Sequence, residues 1–209
     1  DPSKPVTIAD TWDNPGGGCA GDGTFVLKSL IARQVDRVAV GAIWDPIAVS
    51  FCHAAGLGAH LRLRFGGKAG AEAGPPIDAD IEVRHLSEEG HQSFRASRVS
   101  LGRSATVRII GTEIDIVLIS SRTQTYEPTL FSNQGVDFAG KEILLVKSTN
   151  HFHAGFDPVS SRIIHVDSPS SYPTKPALTD YRKAGRDFWP KVADPLGLDE
   201  AKVEKEAQA

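Results

Sequence analysis

The chain has 209 residues, of which 40% are hydrophobic and 23% charged, the balance of an ordinary globular protein rather than a disordered or fibrous one. Its net charge of −3 provides no basic field to gather nucleic acid or an anionic membrane. No apolar run reaches the roughly 18 residues of a transmembrane helix.

The chain contains no methionine, and its opening Asp1-Pro2-Ser3-Lys4-Pro5 reads as the end of a linker. It lacks the basic stretch followed by an apolar core that marks a signal peptide. The expectation is therefore the C-terminal part of a longer protein: one domain over residues 1–198, then a charged tail over 199–209. Two cysteines make no disulfide framework and fit a reducing cytoplasm. Cys52 falls on an apolar helical face and reads as a small buried hydrophobe. Cys19 lies in a glycine loop, where it reads as small filler, with nucleophile or metal ligand as alternatives.

In chain order, the first element is a buried strand, Val6-Thr7-Ile8-Ala9, ended by Asp10. A loop follows, Asp13-Asn14-Pro15-Gly16-Gly17-Gly18 and then Gly21-Asp22-Gly23-Thr24. From Phe25 to Ile31 the apolar positions recur at helical spacing, with Asp22 or Thr24 as N-cap. Strand, glycine loop and helix in that order bring backbone amides and a positive helix end to one place. The loop is no Walker motif, because no Lys-Ser/Thr pair follows. It is no dinucleotide fingerprint either, because its spacing differs and aspartates crowd it. Those aspartates suit a cation, a hydrogen-bond donor or a nearby metal; the bland alternative is a tight connection with solvated carboxylates.

Arg37 to Ile43 is a second buried strand. Asp45 and Pro46 open a helix, Ile47 to Ala55, that closes at Gly56. Two successive βα units imply a parallel sheet. The middle then alternates: His60 to Phe65, Ile81 to Leu86 and Ala105 to Ile110 read as strands with one wet face, and Gly111-Thr112 turns into Ile114 to Ile119, apolar from Ile116, so that this part looks antiparallel and hairpin-rich. They either extend the first sheet or form their own. A short helix near Glu127 to Phe131, buried strands at Glu142 to Val146 and Arg162 to Val166, and a polar tail with Phe188-Trp189-Pro190 complete the chain. The expected fold is α/β: a layered mixed sheet, parallel at the start, hairpin-rich in the middle, with helices packed on it.

Polar residues gather just past the ends of several strands: Asp10 and Asp13, Trp44-Asp45, Ser120-Ser121-Arg122, Lys147-Ser148-His151 and Asp167-Ser168. If those strands are parallel neighbours, the five groups share one rim, where α/β sheets bind ligands. Lys147 and Ser148 can offer a cation and a hydroxyl to an oxygen, or simply face water. His151-x-His153 has the composition of a metal site but no third ligand nearby; Asp157 or Asp10 would reach it only through the fold. His53, His60, His85, His91 and His165 have no partner by spacing. Ser148, His151 and Asp167 form a triad only on paper, since no Gly-x-Ser-x-Gly elbow supports it.

The segment from Asp10 to Thr24 resembles the loop that opens the C-terminal region of the microcystinase C (MlrC) family, D-x-x-D-N-P-G-G-G-x-x-G-D-x-T. A second segment, LLVKSTNHFHAGFDP, is similar to the family's V-K-S-x-x-H-F-x-A-x-F-x-P through Lys147, Ser148, His151, Phe152, Ala154, Phe156 and Pro158. Leu63 to Lys68 also looks like a family segment, and the likeness covers nearly the whole chain. It departs at Val166 to Ser170 and at Phe188-Trp189-Pro190, where the family favours a Pro-Gly turn and an Arg-Pro-x-x-Pro segment. The resemblance implies a bacterial zinc-dependent peptide or amide hydrolase whose zinc sits on an N-terminal metal-binding domain outside this chain. No metal is expected in this chain, which would partner that domain, with a homo-oligomer as a further option, and would be inert alone.

The expected substrate-binding residues are Asp10, Asp13, Asn14, Gly16, Gly17, Gly18, Asp22, Lys147, Ser148 and His151, with His151 and Lys147 the candidates nearest the chemistry. Gly16 to Gly18 and Asn14 would hold a carbonyl or carboxylate. Asp13 and Asp22 would receive a donor such as an amine. A binding module without chemistry is the alternative.

Overall fold

A computed structural model describes residues 1, 3–172, 177, 179–184 and 187–196. Among these, eight strands form one sheet in the order β3-β4-β5-β6-β2-β7-β1-β8. Its parallel part is built from β1 (Val6–Asp10), β2 (Val38–Trp44), β6 (Asp115–Ile119), β7 (Ile143–Val146) and β8 (Arg162–Val166). The run of β2, and that of β6 after Asp115, is apolar because both faces are covered. Helices α1 (Phe25–Ala32) and α2 (Pro46–Ala55) cover one face, through Leu27, Leu30, Val49 and Cys52 against Val38, Val40, Leu145 and Ile116. Helices α3 (Thr129–Ser132) and α4 (His153–Phe156) cover the other, where Leu130, Phe131, Phe152 and Phe156 meet Ala39, Val117, Leu144 and Val146. Alternate residues along each strand thus feed two separate cores.

Strand β7 lies between β1 and β2, so the first βα unit crosses over it. The register sets Ala9 beside Val146, which brings the next residues, Asp10 and Lys147, side by side at the strand ends. Asp10 pairs with Val166 on its other flank. Helix α2 starts as its sequence prescribes: Asp45 Oδ1 accepts the Ala48 amide at 3.0 Å, and Pro46 occupies the first turn. Helix α1 does not. Thr24 stands at the N-cap position, but its hydroxyl donates to Pro75 O at 2.8 Å, and Asp22 binds a different loop. Neither side chain caps the helix.

The alternating middle extends the same sheet. Strand β3 (His60–Phe65) pairs with β4 (Ile77–Phe94), β4 with β5 (Ser97–Ile109), and β5 with β6, all antiparallel. β4 and β5 run well beyond the expected Ile81 to Leu86 and Ala105 to Ile110. Register shifts around Gly90 interrupt the pairing there, and the added residues are polar and break the alternation, which hides them from a periodicity reading. The expected fold class holds: a mixed α/β sheet with helices on it.

The chain divides into two compact units, Asp1–Tyr172 and Pro173–Ala209. In the second, Tyr181 and Phe188 meet edge to face at 4.9 Å between ring centroids. The charged tail expected over 199–209 lies outside the described residues.

Candidate functional site

Five parallel strands end on one side of the sheet, so the five polar groups share a rim. At its centre Lys147 continues β7. Its Nζ donates to Asp13 Oδ2 at 2.6 Å, Gly23 O at 2.8 Å and Asp10 Oδ2 at 3.1 Å. The residue is 1% exposed, as is Asp10, and Asp13 is 5% exposed. All three ammonium protons therefore have partners inside the protein. Asp13 also accepts the amides of Gly21 at 2.9 Å and Gly23 at 2.6 Å, while Asp10 accepts the Ser168 hydroxyl. Burial pushes the Asp13 carboxyl up. The Lys147 charge, its hydrogen bond and the Gly23 and Gly21 amides outweigh this and hold it below the usual carboxylate value. Burial alone would lower the Lys147 ammonium, but the charges of Asp10 and Asp13, with their hydrogen bonds, raise it instead. Removing one member of such a group leaves a buried charge without compensation.

The triad anchors the glycine loop. Pro15–Gly17 makes one turn of 3₁₀ helix, with Asn14 Oδ1 accepting the Gly16 amide at 2.8 Å. The Gly17 amide donates to Asn14 O and the Gly18 amide to Pro15 O. The amides expected to hold a substrate oxygen thus close the loop's own turn. What they leave outward is the exposed backbone of Gly16, Gly17 and Gly18. Gly18 has φ +101°, a left-handed conformation that glycine adopts without strain. Asn14 Nδ2 reaches Thr149 Oγ1 at 2.8 Å, which ties the loop to the segment after β7.

A second chain of hydrogen bonds orients His151. The Ser148 hydroxyl donates to Gln124 Oε1 at 3.0 Å, so Gln124 turns its NH₂ toward His151 Nδ1 at 3.3 Å. Nδ1 then accepts, and in the neutral ring the proton sits on Nε2; the network assigns this tautomer. His151 is exposed and Ser148 fully buried. Phe94 and Tyr126 flank the imidazole at 5.6 and 6.1 Å between centroids. Gln92 braces Gln124 from below: its Nε2 donates to Gln124 O at 2.7 Å, and its Oε1 accepts the Tyr126 amide at 2.9 Å.

Asp22 faces another flank. Its Oδ2 accepts the amides of Lys68 and Ala69 at 2.7 and 2.8 Å. Among the described residues its Oδ1 is buried without a hydrogen-bond partner, and the residue lines a cavity of about 40 Å³ with Asp13, Glu72, Ser170 and Ser171. Lys68 Nζ meets Asp45 Oδ2 at 2.7 Å, which fixes the loop after β3.

The chain matches the model of the MlrC C-terminus over residues 8–183. It belongs to that family. It is similar to Microcystinase C of a Sphingomonas species, with 35% identity over 186 residues, 89% of this chain and 36% of that protein. It thus spans about a third of this curated relative. A crystal structure from Mesorhizobium sp. BNC1, described as a "Putative metallopeptidase", has the same fold: TM-score 0.76 at 20% identity over 90% of this chain and 38% of that one.

In this MlrC C-terminal chain, Asp10, Asp13 and Lys147 form the buried anchor, Gly16 to Gly18 and His151 are exposed on the rim, and Asn14 and Ser148 are buried behind them. Asp22 lies toward the small acidic cavity. Sequence reasoning missed Gln124, Tyr126, Gln92 and Phe94. Gln124 left one trace: Gly16 has no room for a Cβ, because the Gln124 side-chain amide occupies that position. Arg122, noticed only as part of a polar cluster, donates to Cys19 O at 2.6 Å and clamps the loop. His165, given no partner by spacing, lies 3.2 Å from His153 between Nε2 atoms.

Proposed function

We propose that this chain is the substrate-lining part of a zinc-dependent peptide or amide hydrolase, and that the metal is held by a part of the longer protein outside this chain. Membership of the MlrC C-terminal family and the likeness to Microcystinase C support the reading. The Asp10–Asp13–Lys147 cluster does not fit zinc. Zinc takes deprotonated ligands with free lone pairs, whereas Asp10 and Asp13 are neutralised by Lys147 and filled by amide and hydroxyl donors. Among the described residues no group of three or more His, Cys, Asp or Glu is arranged to hold a metal. In this reading the residues of this chain bind and orient.

The arrangement that carries the reading is the exposed His151, whose Nδ1 faces the Gln124 amide that Ser148 orients and that also lies against Gly16, so that the ring proton is assigned to Nε2. In this reading His151 donates to the substrate carbonyl and stabilises charge that develops on its oxygen. Lys147 holds Asp10 and Asp13, and through them the loop, without touching substrate. Phe94 and Tyr126 form an apolar wall for a substrate side chain. Asp22 receives a substrate amine through its unpartnered oxygen. Cys19 and Cys52, both free, suit work in a reducing cytoplasm. No helix among the described residues is long and apolar enough to cross a membrane.

The test uses the full-length zinc-loaded protein and a linear peptide. His151→Ala should lower kcat by about 10²-fold, the usual cost of losing one such donor. Retention of kcat within about twofold, well short of that cost, would reject the role. Firm peptide retention without turnover would make the domain a binding module instead.

A further inference from the structure

On the β8 side of the rim, two imidazoles meet. His153 opens α4 and His165 lies near the end of β8; their Nε2 atoms are 3.2 Å apart. Each ring is held from behind. His153 Nδ1 faces Asp157 Oδ1 at 3.0 Å, and His165 Nδ1 faces Thr11 Oγ1 at 3.1 Å. A carboxylate only accepts, so His153 carries a proton on Nδ1, and the neutral ring presents a lone pair at Nε2. The Thr11 hydroxyl donates to Ala9 O, so it accepts from His165, which also presents a lone pair at Nε2. Two lone pairs face each other at a separation that a cation relieves.

We propose that His153 and His165 form a two-histidine site for a divalent transition-metal ion of the Zn²⁺, Ni²⁺ or Cu²⁺ class. Imidazole nitrogen suits these ions. With a bond of about 2.0–2.1 Å to each nitrogen, a separation of 3.2 Å subtends an angle of roughly 100° at the metal, within reach of tetrahedral geometry. Asp157 behind His153 makes the carboxylate–histidine arrangement that fixes the tautomer and strengthens the ligand. His165 is exposed and His153 half-buried, so an ion can enter and water can complete its shell. The site shares no residue with the His151 network and differs from the zinc invoked for hydrolysis.

The experiment is calorimetric titration of this full chain with Zn²⁺ alone, in a non-chelating buffer near neutral pH. One ion should bind per chain. His153→Gln and His165→Gln should each weaken binding at least about tenfold, and Asp157→Asn by about tenfold, the lower end for an orienting partner. His60→Gln, on the opposite edge of the sheet, should change nothing. Wild-type affinity in His165→Gln overturns the site, as does a wild-type isotherm no stronger than that of the double variant. Should a variant fail to fold, long-range ¹⁵N spectra of the wild type decide. Zn²⁺ should move the Nε2 resonances of His153 and His165, and movement of other histidines alone refutes the assignment. If the pair instead shares a proton, Zn²⁺ leaves both resonances in place and the proposal fails.

Discussion

Lys147→Met keeps most of the aliphatic stem and removes the ammonium that Asp10 and Asp13 share. Breaking a buried ion pair by deleting one partner costs about 3–5 kcal/mol. Asp13 would keep the Gly21 and Gly23 amides, and Asp10 the Ser168 hydroxyl, so the loss should fall near the lower end, about 3 kcal/mol. With a urea slope of about 2–3 kcal/mol/M, the midpoint should fall by about 1–1.5 M. Equilibrium urea unfolding followed by tryptophan fluorescence measures it, since Trp12 and Trp44 both border the rim. The pH dependence makes the test sharper. In the wild type the depressed Asp13 pKa contributes stability above the unfolded carboxylate value of about 3.9, and this is lost as pH falls through the folded value. In the variant, burial without a counter-ion raises the carboxylate pKa above the unfolded value. Its penalty is then full at neutral pH and relieved as protonation sets in. The gap between the two proteins should therefore narrow from pH 7 toward pH 4. A loss below about 1 kcal/mol at pH 7, the scale of an exposed pair, or a gap that ignores pH, would refute the account of a buried anchor.

Gly41→Ala should cost about 1–3 kcal/mol in the same assay, because a Cβ there would overlap Leu130 and Phe131 beneath the sheet; an unchanged midpoint would show that α3 yields freely. Gln124→Leu should leave the fold intact but release the His151 tautomer, so that ¹⁵N spectra shift from Nε2–H toward a mixture; an unchanged tautomer would assign the preference to something other than the Ser148–Gln124 chain.

The parallel half was legible because its punctuation is local. Asp45-Pro46 and Gly56 bracket α2 by rules that act within a turn, and the apolar runs of β2 and β7 announce two covered faces. The rim followed from topology, once strands with polar ends were read as parallel neighbours. What the sequence withheld was pairing across distance. Nothing at Lys147 says that it will be walled in by Asp10 and Asp13 rather than left facing a substrate; that depends on β1 and β7 being adjacent and in register. The donors of the glycine loop were legible as a set, but not their use: Asn14 captures the Gly16 amide, which only the folded turn reveals. Gln92 and Gln124 were invisible because a buried glutamine makes no pattern, and each is explained only by the partner it meets. His165 was passed over for the same reason, since its partners, Thr11 just past β1 and His153 at the start of α4, are distant in sequence.

The long β4–β5 hairpin carries Phe94 from the antiparallel half up to His151 and Tyr126. Its outer end rests on the rim through the Ser93 amide to Thr129, the Arg95 amide to Glu127 and the Gln92 side chain to Gln124 and Tyr126, while the Lys147 cluster is held by β1, β7 and the glycine loop. The molecule therefore separates its keystone from its fingertip. Substitutions at Phe94 should thus leave the charged knot that keeps the loop in place undisturbed.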